Sequence, residues 1–502
     1  MHMKKSSLLL ITNLLLSLFC AAQMNGDLFF NPAIINTINI QFSQPSYWDS
    51  LVAYKPLDKV MLASVTVNGV LLDSTGVQLK GNSSYNSYPG TKKPIKLSFD
   101  EYRATQTLDG LKTLNLNNEF KDPTMLREKV MLDFCNAHNI LAPRATFVKV
   151  YLNNVYWGLY TAVEQVGKTF LKDRLGDKKG NLFKGDPQGL LTWINNSPSS
   201  YYTKYELKTN EITNDWSDLV HLIDEINNTP TQNFYDSLEM VLNTQSYINC
   251  WASNILFGNL DSYQGSGHNY YIYHDSLSNK FQWLTWDVNE GFGNFNMGMS
   301  VQQLESLPID FIPNPQNQRP LTQKMWSNGT YKQIYTSTLC SFARDFNLTY
   351  LGPKIDSLAN AIRADVYADT AKQYTNQNFE NNINNNQGNI PGLKSFITNR
   401  LASLTAQLPA YGCWLGIDEV NDVDAPELYP NPATNNLNIK WKNYSIKKAE
   451  ILDLSGRKLI EKHIANNSTD VISTDVSTLS QGIYYVKVQS VTNTKMLKFI
   501  KK

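Results

Sequence analysis

Asp261 and Asp287 are the residues of this sequence best placed to do chemistry. The stretch NLDSYQGSGHNYYIYHDSLSNKFQWLTWDVNEGFG, residues 259 to 293, puts Asp261 in a loop after a helix ending at Phe257-Gly258. Asn269 opens the strand NYYIYHD, a turn follows at Ser276 to Asn279, and Asp287 ends the strand FQWLTWD. A carboxylate that orients a hydroxyl proton, beside hard oxygen ligands that hold magnesium against phosphates, is what phosphoryl transfer requires. Either Asp alone reads as a turn former or cap, so the signal lies in their order. In GVQLKGNSSYNSYPGTKKPIKLSFD, residues 76 to 100, two strands flank a polar loop carrying Lys80, Lys92, Lys93 and Lys96. Its backbone N–H groups and a strand lysine could close over phosphates, although the segment alone reads first as a solvated hairpin with surface lysines. There is no Walker loop, no GxGxxG, no GxSxG elbow and no HExxH. His268 and His274 lie near the candidate site, where a lone histidine reads as a hydrogen-bonded structural residue.

The elements that must position these residues divide the chain in two. Residues 34 to 110 carry the strand signals INTINIQFS, KVMLASVTVNG, VLLDSTGVQLKG and KPIKLSFD, broken by Asn-Gly and Asp-Gly turns. TMLREKVMLDFCNAHN, 124 to 139, has helical spacing, with Asp122-Pro123 as its start. ATFVKVYLNN and VYWGLYTAVEQV form a hairpin at Asn153-Asn154, and from about residue 214 helices take over. Residues 373 to 391, rich in Asn and Gln, read as a mobile surface loop. The fold class is α+β: a β-rich N-terminal lobe and a helical C-terminal lobe, with a cleft between them.

Five motifs in order resemble the spore coat protein H (CotH) family of atypical kinases. KGNSSYNSYPGTKKPIKLSF is similar to the family's RGNSS-then-KKPYKLKF segment, KDPTMLREK to its Asp-x-x-x-x-Arg helix start, and VKVYLNNVYWGLYTAVEQV to its V-x-V-Y-x-N signature; GNLFK, and LDS followed by HNYYIY and WDVNEGFG, complete the series over residues 75 to 295. Loop carboxylate, Asn, β-hairpin and second carboxylate is also the order of a protein kinase catalytic loop and its metal-binding Asp. The resemblance implies a kinase-like fold that binds ATP with Mg2+ or Mn2+ and phosphorylates Ser or Thr of a protein substrate. It makes Asp261 the catalytic carboxylate, Asp287 the metal ligand and Asn269 a second metal or loop-positioning residue. Lys96 is the first choice for the phosphate lysine and Lys80 its rival. Glu164 either pairs with a lysine or faces the nucleotide, or is a strand-end surface carboxylate. Arg127 and Lys184 complete the set, and read equally as a helix-surface Arg and a hairpin Lys. Lys80 stands where the family often has Arg, and Asn289 where it commonly has a second Asp; an Asn ligates magnesium without adding charge, and Glu290 is a candidate compensator.

The chain ends place this domain outside the cytoplasm. Lys4-Lys5 and the run SSLLLITNLLLSLFCAAQ read as a cleaved signal over residues 1 to 22, the run being too short for a bilayer span and Phe19 ill-suited to lipidation of Cys20. The kinase-like domain is assigned to 27 to 415 and an acidic linker to 416 to 427. In the remainder, 428 to 502, LYPNP, DLSGR with a hairpin at Ser455-Gly456, QGIYYVKV and KFIKK resemble the C-terminal sorting domain of type IX secretion cargo, expected as a small β-sandwich. That resemblance implies the type IX machinery as partner and a secreted or cell-surface protein, reached through the periplasm. With 45 basic and 44 acidic residues there is no electrostatic footprint for nucleic acid, and no later segment spans a membrane. Cys135, Cys250, Cys340 and Cys413 are too dispersed for a zinc site, and read as disulfides or buried thiols. Two rivals remain: a glycosidase, which needs only two carboxylates, and a catalytically silent kinase-fold surface or matrix binding module, which Asn289 favours.

Overall fold

The computed structural model describes residues 24–315, 318–415, 426–442, 444–453, 457–464, 471–490 and 493–502. The expected signal, most of the linker and the Ser455-Gly456 turn lie outside the described residues. The chain forms two compact units. The first comprises residues up to Phe120, Pro143–Lys179 and Ala364–Lys372; the second comprises Lys121–Ala142, Gly180–Arg363 and Gln373–Lys502.

The first unit is a closed barrel of seven strands: β1 (Asn36–Gln41), β2 (Met61–Val67), β3 (Val70–Leu79), β4 (Ile95–Ser98), β5 (Thr113–Asn117), β6 (Ala145–Leu152) and β7 (Val155–Glu164), in the order β1-β2-β3-β4-β5-β7-β6. Alternation puts Ile38, Ile40, Val65, Val67, Leu97, Leu114, Leu116 and Val150 inside, none more than 1% exposed. The hairpins form where the sequence signals them. Asn68 and Gly69 between β2 and β3, and Asn153 and Asn154 between β6 and β7, all have positive φ, as a two-residue turn matched to strand twist demands. Closure comes from a pairing with no local trace, β1 lying parallel to β6 with Asn36 opposite Val148.

In the second unit β8 (Leu182–Lys184), β9 (Glu206–Leu207), β10 (Tyr270–Asp275) and β11 (Lys280–Thr285) make one sheet, in the order β11-β10-β8-β9. Helices dominate the rest. Ser217–Asn228 buries Leu219, Val220, Leu222, Ile223 and Ile226, a stripe at helical spacing. The expected helix over 124 to 139 spans Arg127–Ala137, and Asp122 starts it from five residues upstream by accepting the Arg127 N–H at 2.9 Å. The expected mobile loop over 373 to 391 is a correction: it holds the helix Asn376–Asn384, capped by Thr375 and Asn378 and anchored by buried Phe379 and Ile383. A disulfide joins Cys340 to Cys413, while Cys135 and Cys250 are buried thiols.

The C-terminal region carries β12 (Glu427–Tyr429), β13 (Asn436–Lys440), β14 (Ile446–Leu452), β15 (Lys458–His463), β16 (Val471–Asp475), β17 (Gly482–Ser490) and β18 (Thr494–Lys501). They form two antiparallel sheets, β12-β13-β16 and β15-β14-β17-β18. Leu437, Ile439, Trp441, Ile451, Val486, Val488 and Phe499 supply a common core from this region alone. Among the described residues no helix is long and apolar enough to cross a membrane.

Candidate active site

The loop that carries Asp261 is tied to itself. The helix Thr244–Leu256 runs into Gly258, whose φ of +57° turns the chain. Ser266 N–H then donates to the Leu260 carbonyl at 2.9 Å, and the amides of Gly265 and Gly267 both donate to Ser262 O, at 3.1 and 2.9 Å. A side chain at 265 would place its Cβ 1.9 Å from the Leu260 oxygen, so this turn requires glycine. Side chains lock the loop to the helix behind it: Asn254 Nδ2 donates to Gln264 Oε1 at 3.0 Å, and Asn259 Nδ2 donates to Asn254 Oδ1 at 2.9 Å.

This turn returns Asn269 to Asp261. Asn269, at φ 57°, donates its Nδ2 to the Asp261 carbonyl at 2.9 Å and to Asp261 Oδ2 at 3.0 Å, leaving its own amide oxygen for another partner. His268 Nε2 lies 2.7 Å from Asp261 Oδ1. Burial opposes charge on His268, but the hydrogen bond to Asp261 and the charges of Asp261, Asp186 and Asp287 outweigh it and raise the imidazole above its ordinary value. His268 is a hydrogen-bonded histidine, as expected, and Asp261 is its partner, which proximity in a loop does not by itself reveal.

Asp287 lies two residues beyond β11, which ends at Thr285 rather than at Asp287 as the sequence suggests. Its φ of 53° is unusual for a residue other than glycine and costs about 1–3 kcal/mol, strain of a kind that clusters at functional sites. Three residues on, Glu290 is 3% exposed; its Oε1 accepts from Lys121 Nζ at 3.0 Å and its Oε2 is buried with no hydrogen-bond partner. Burial raises its carboxyl above the ordinary range; Lys121 counteracts this and the charges of Asp261 and Asp287 add to it. Glu290 Oε2 is thus a buried carboxylate oxygen without a hydrogen-bond partner, within electrostatic reach of Asp261 and Asp287. Among the described residues no three His, Cys, Asp or Glu side chains are already gathered as a cage.

The other expected residues fall in separate places. Lys96 sits on β4 opposite Gln78 and Asn115, on the face away from the barrel interior, and its ammonium has no hydrogen-bond or ion-pair partner among the described residues. Lys80 Nζ donates to Asn117 Oδ1 at 2.8 Å. Glu164 is neither a surface carboxylate nor paired with a lysine: it is 1% exposed and held by Arg144 at 2.7 Å and Arg174 at 3.1 Å. It borders a cavity of about 170 Å³, also lined by Lys112, Gln165 and Lys168. Lys184 bonds Asp186; burial opposes its charge, but Tyr271 and Asp186 hold its ammonium above the ordinary value. Arg127 is not on a helix surface. It is fully buried and ties Asp122 to Asn382 and the Pro391 carbonyl. The buried pair of Lys92 with Asp369, 2.7 Å apart, went unseen in the sequence because its members are 277 residues apart.

Residues 77–404 match the CotH kinase protein family, and residues 427–502 match the secretion system C-terminal sorting domain. The chain belongs to the CotH kinase family and ends in a sorting domain that marks it for secretion or the cell surface. It is 27% identical over 299 residues to inner spore coat protein H of Bacillus subtilis (strain 168), a match covering 58% of this chain and 77% of that protein. Among solved structures it is similar to the HipA, HipB and operator DNA complex of the Shewanella oneidensis MR-1 toxin–antitoxin system, at 15% identity and a TM-score of 0.29, covering 62% of this chain and 61% of that one. It is also similar to the Helicobacter pylori proinflammatory kinase CtkA, at 9% identity and a TM-score of 0.26, covering 70% and 94%. TM-scores this low do not define a shared fold.

Proposed function

We propose that this protein is an exported atypical kinase, two-lobed in the kinase manner, that transfers the γ-phosphoryl group of ATP to Ser or Thr hydroxyls of exported or surface proteins. The sorting domain, a small β-sandwich in this reading, engages the type IX machinery after passage through the periplasm. Three parts follow from the domain assignment: the kinase-like domain over 27 to 415, the linker over 416 to 427 and the sorting domain over 428 to 502. The observation that carries the proposal is the Asp261–Asn269 knot in a CotH-family chain, with Asp287 and the orphaned Glu290 oxygen in electrostatic reach. Asp261 orients the substrate hydroxyl and accepts its proton, and Asn269 holds that carboxylate in place. Asp287 and the free amide oxygen of Asn269 would hold Mg2+ or Mn2+, with Glu290 supplying the charge that Asn289 lacks. The metal, when bound, neutralises charge on the phosphate oxygens. Lys96 is the first choice for the phosphates, Lys80 its rival and Lys184 a further candidate; Glu164 organises Arg144 and Arg174 rather than the nucleotide.

A second reading, a kinase-fold binding module without catalysis, draws on Asn289 and on the lack of a preassembled three-ligand cage among the described residues. Melting of the full chain with ATP plus magnesium or manganese separates the two. A ligand at a hundred times its Kd stabilises the folded state by about 2.7 kcal/mol. Metal-dependent stabilisation that disappears in Asp287→Ala and persists in Asp261→Ala is the expected result. No shift at millimolar nucleotide refutes the kinase.

A further inference from the structure

Arg319, just ahead of the helix Pro320–Ser327, is 2% exposed, yet it pairs with no carboxylate among the described residues. Its Nε donates to the Tyr263 carbonyl, its Nη2 to the Gly265 carbonyl and its Nη1 to Gln318 O at 2.7 Å, while the guanidinium carbon sits 5.7 Å from the centre of the Tyr263 ring. A charge withdrawn from water without a counter-ion is strongly unfavourable unless its donors are met, and burial holds this guanidinium below the ordinary arginine range. A planar fork can span two carbonyls two residues apart; a lysine presents one point charge and cannot. Both carbonyls belong to the turn between Asp261 and Asn269, and a side chain at Gly267 would come within 3.3 Å of Arg319 Nη2.

We infer that Arg319 is a positioning residue for the candidate catalytic loop: its guanidinium clamps the 263–265 turn, and through that turn it fixes Asn269 against Asp261. Among the described residues no hydrogen bond or ion pair joins Arg319 to either side chain, and its hydrogen bonds all go to backbone carbonyls. The inference rests on the kinase reading for its effect on rate, but not for its effect on the loop.

The test uses the full chain with Arg319→Lys and Arg319→Met, the lysine variant retaining a buried cation should the methionine variant fail to fold. Two quantities are measured: kcat and KM for ATP in phosphoryl transfer, and hydrogen exchange at the Gly265, Ser266 and Gly267 amides. Misplacing a reacting group by about 1 Å costs on the order of a hundred-fold in rate, so kcat falls by about that factor with KM for ATP unchanged. The three loop amides exchange faster while those of β10 and β11 keep their protection. Unchanged loop exchange, or faster exchange spread evenly over β10, β11 and the neighbouring helices, overturns the clamp. If the unaltered protein transfers no phosphate, the kinase reading fails and the exchange pattern alone decides the clamp.

Discussion

Replacing Lys92 with methionine should unfold the barrel unit more readily than any surface change could. Lys92 Nζ and Asp369 Oδ2 are 2.7 Å apart with both side chains at 0% exposure. Their gross attraction is about 6 kcal/mol at an effective dielectric constant of 20. The carboxylate also accepts the Leu159 and Ala371 amides, each at 3.0 Å, and the ammonium lies 5.1 Å from the centre of the Tyr160 ring. Desolvation cancels much of that attraction while the pair is whole, but truncating one partner leaves the other buried and uncompensated, a loss of about 3–5 kcal/mol. Asp369→Asn should lose a similar amount by stranding the ammonium. The double variant Lys92→Met/Asp369→Asn should lose less than the two single losses combined by more than about 1 kcal/mol, since residues in direct contact couple. Urea unfolding of the full chain, followed by circular dichroism, supplies the cycle. Single-variant losses below about 1 kcal/mol, or strict additivity, would refute the argument.

Three further outcomes are expected. The His274 imidazole is raised above its ordinary value, chiefly by its hydrogen bond to Asp218 at 3.0 Å and by that residue's charge, against the opposing effect of burial. Its contribution to stability is therefore complete below about pH 6.5 and fades as pH rises through the elevated folded value; Asp218→Asn should flatten melting temperature against pH across that window. Cys340→Ser opens a loop of 73 residues and should lower unfolding stability by about 4 kcal/mol, with a matching loss on reduction of the unaltered chain. Asn289→Asp adds a charge near Asp287 and should tighten manganese binding measured by calorimetry; weaker or unchanged binding would place residue 289 outside the metal's surroundings.

Local chemistry was legible in the sequence wherever it was repeated by pattern. Strand alternation and the Asn-Gly and Asn-Asn pairs give the hairpins of the barrel, and Asn269, read as opening a strand, stands just ahead of β10 and bonds Asp261. What depended on distant partners was not legible. The parallel pairing of β1 with β6 and the Lys92–Asp369 pair arise from chain closure, which no spacing encodes, whereas the two arginines on Glu164 are only 20 and 10 residues from it, Arg144 across the β6–β7 hairpin. Asn-rich composition hid the Asn376–Asn384 helix, although Phe379 and Ile383 already stood four apart behind a capping threonine. Arg127 looked like a surface residue because its partners, Asn382 and Pro391, lie in that same misread segment.

The barrel unit is assembled from three stretches of chain, the last being Ala364–Lys372. During synthesis β1 must wait for β6 to emerge, and Lys92 must wait for Asp369, 277 residues later. An ammonium is costly to withdraw from water before its counter-ion arrives, so cooperative closure of the barrel is deferred until most of the stretch matching the CotH family, residues 77–404, exists. Translation order thus delays folding at the N-terminal end. The sorting domain, residues 427–502, is translated after Asp369 and therefore after the last stretch that the barrel needs.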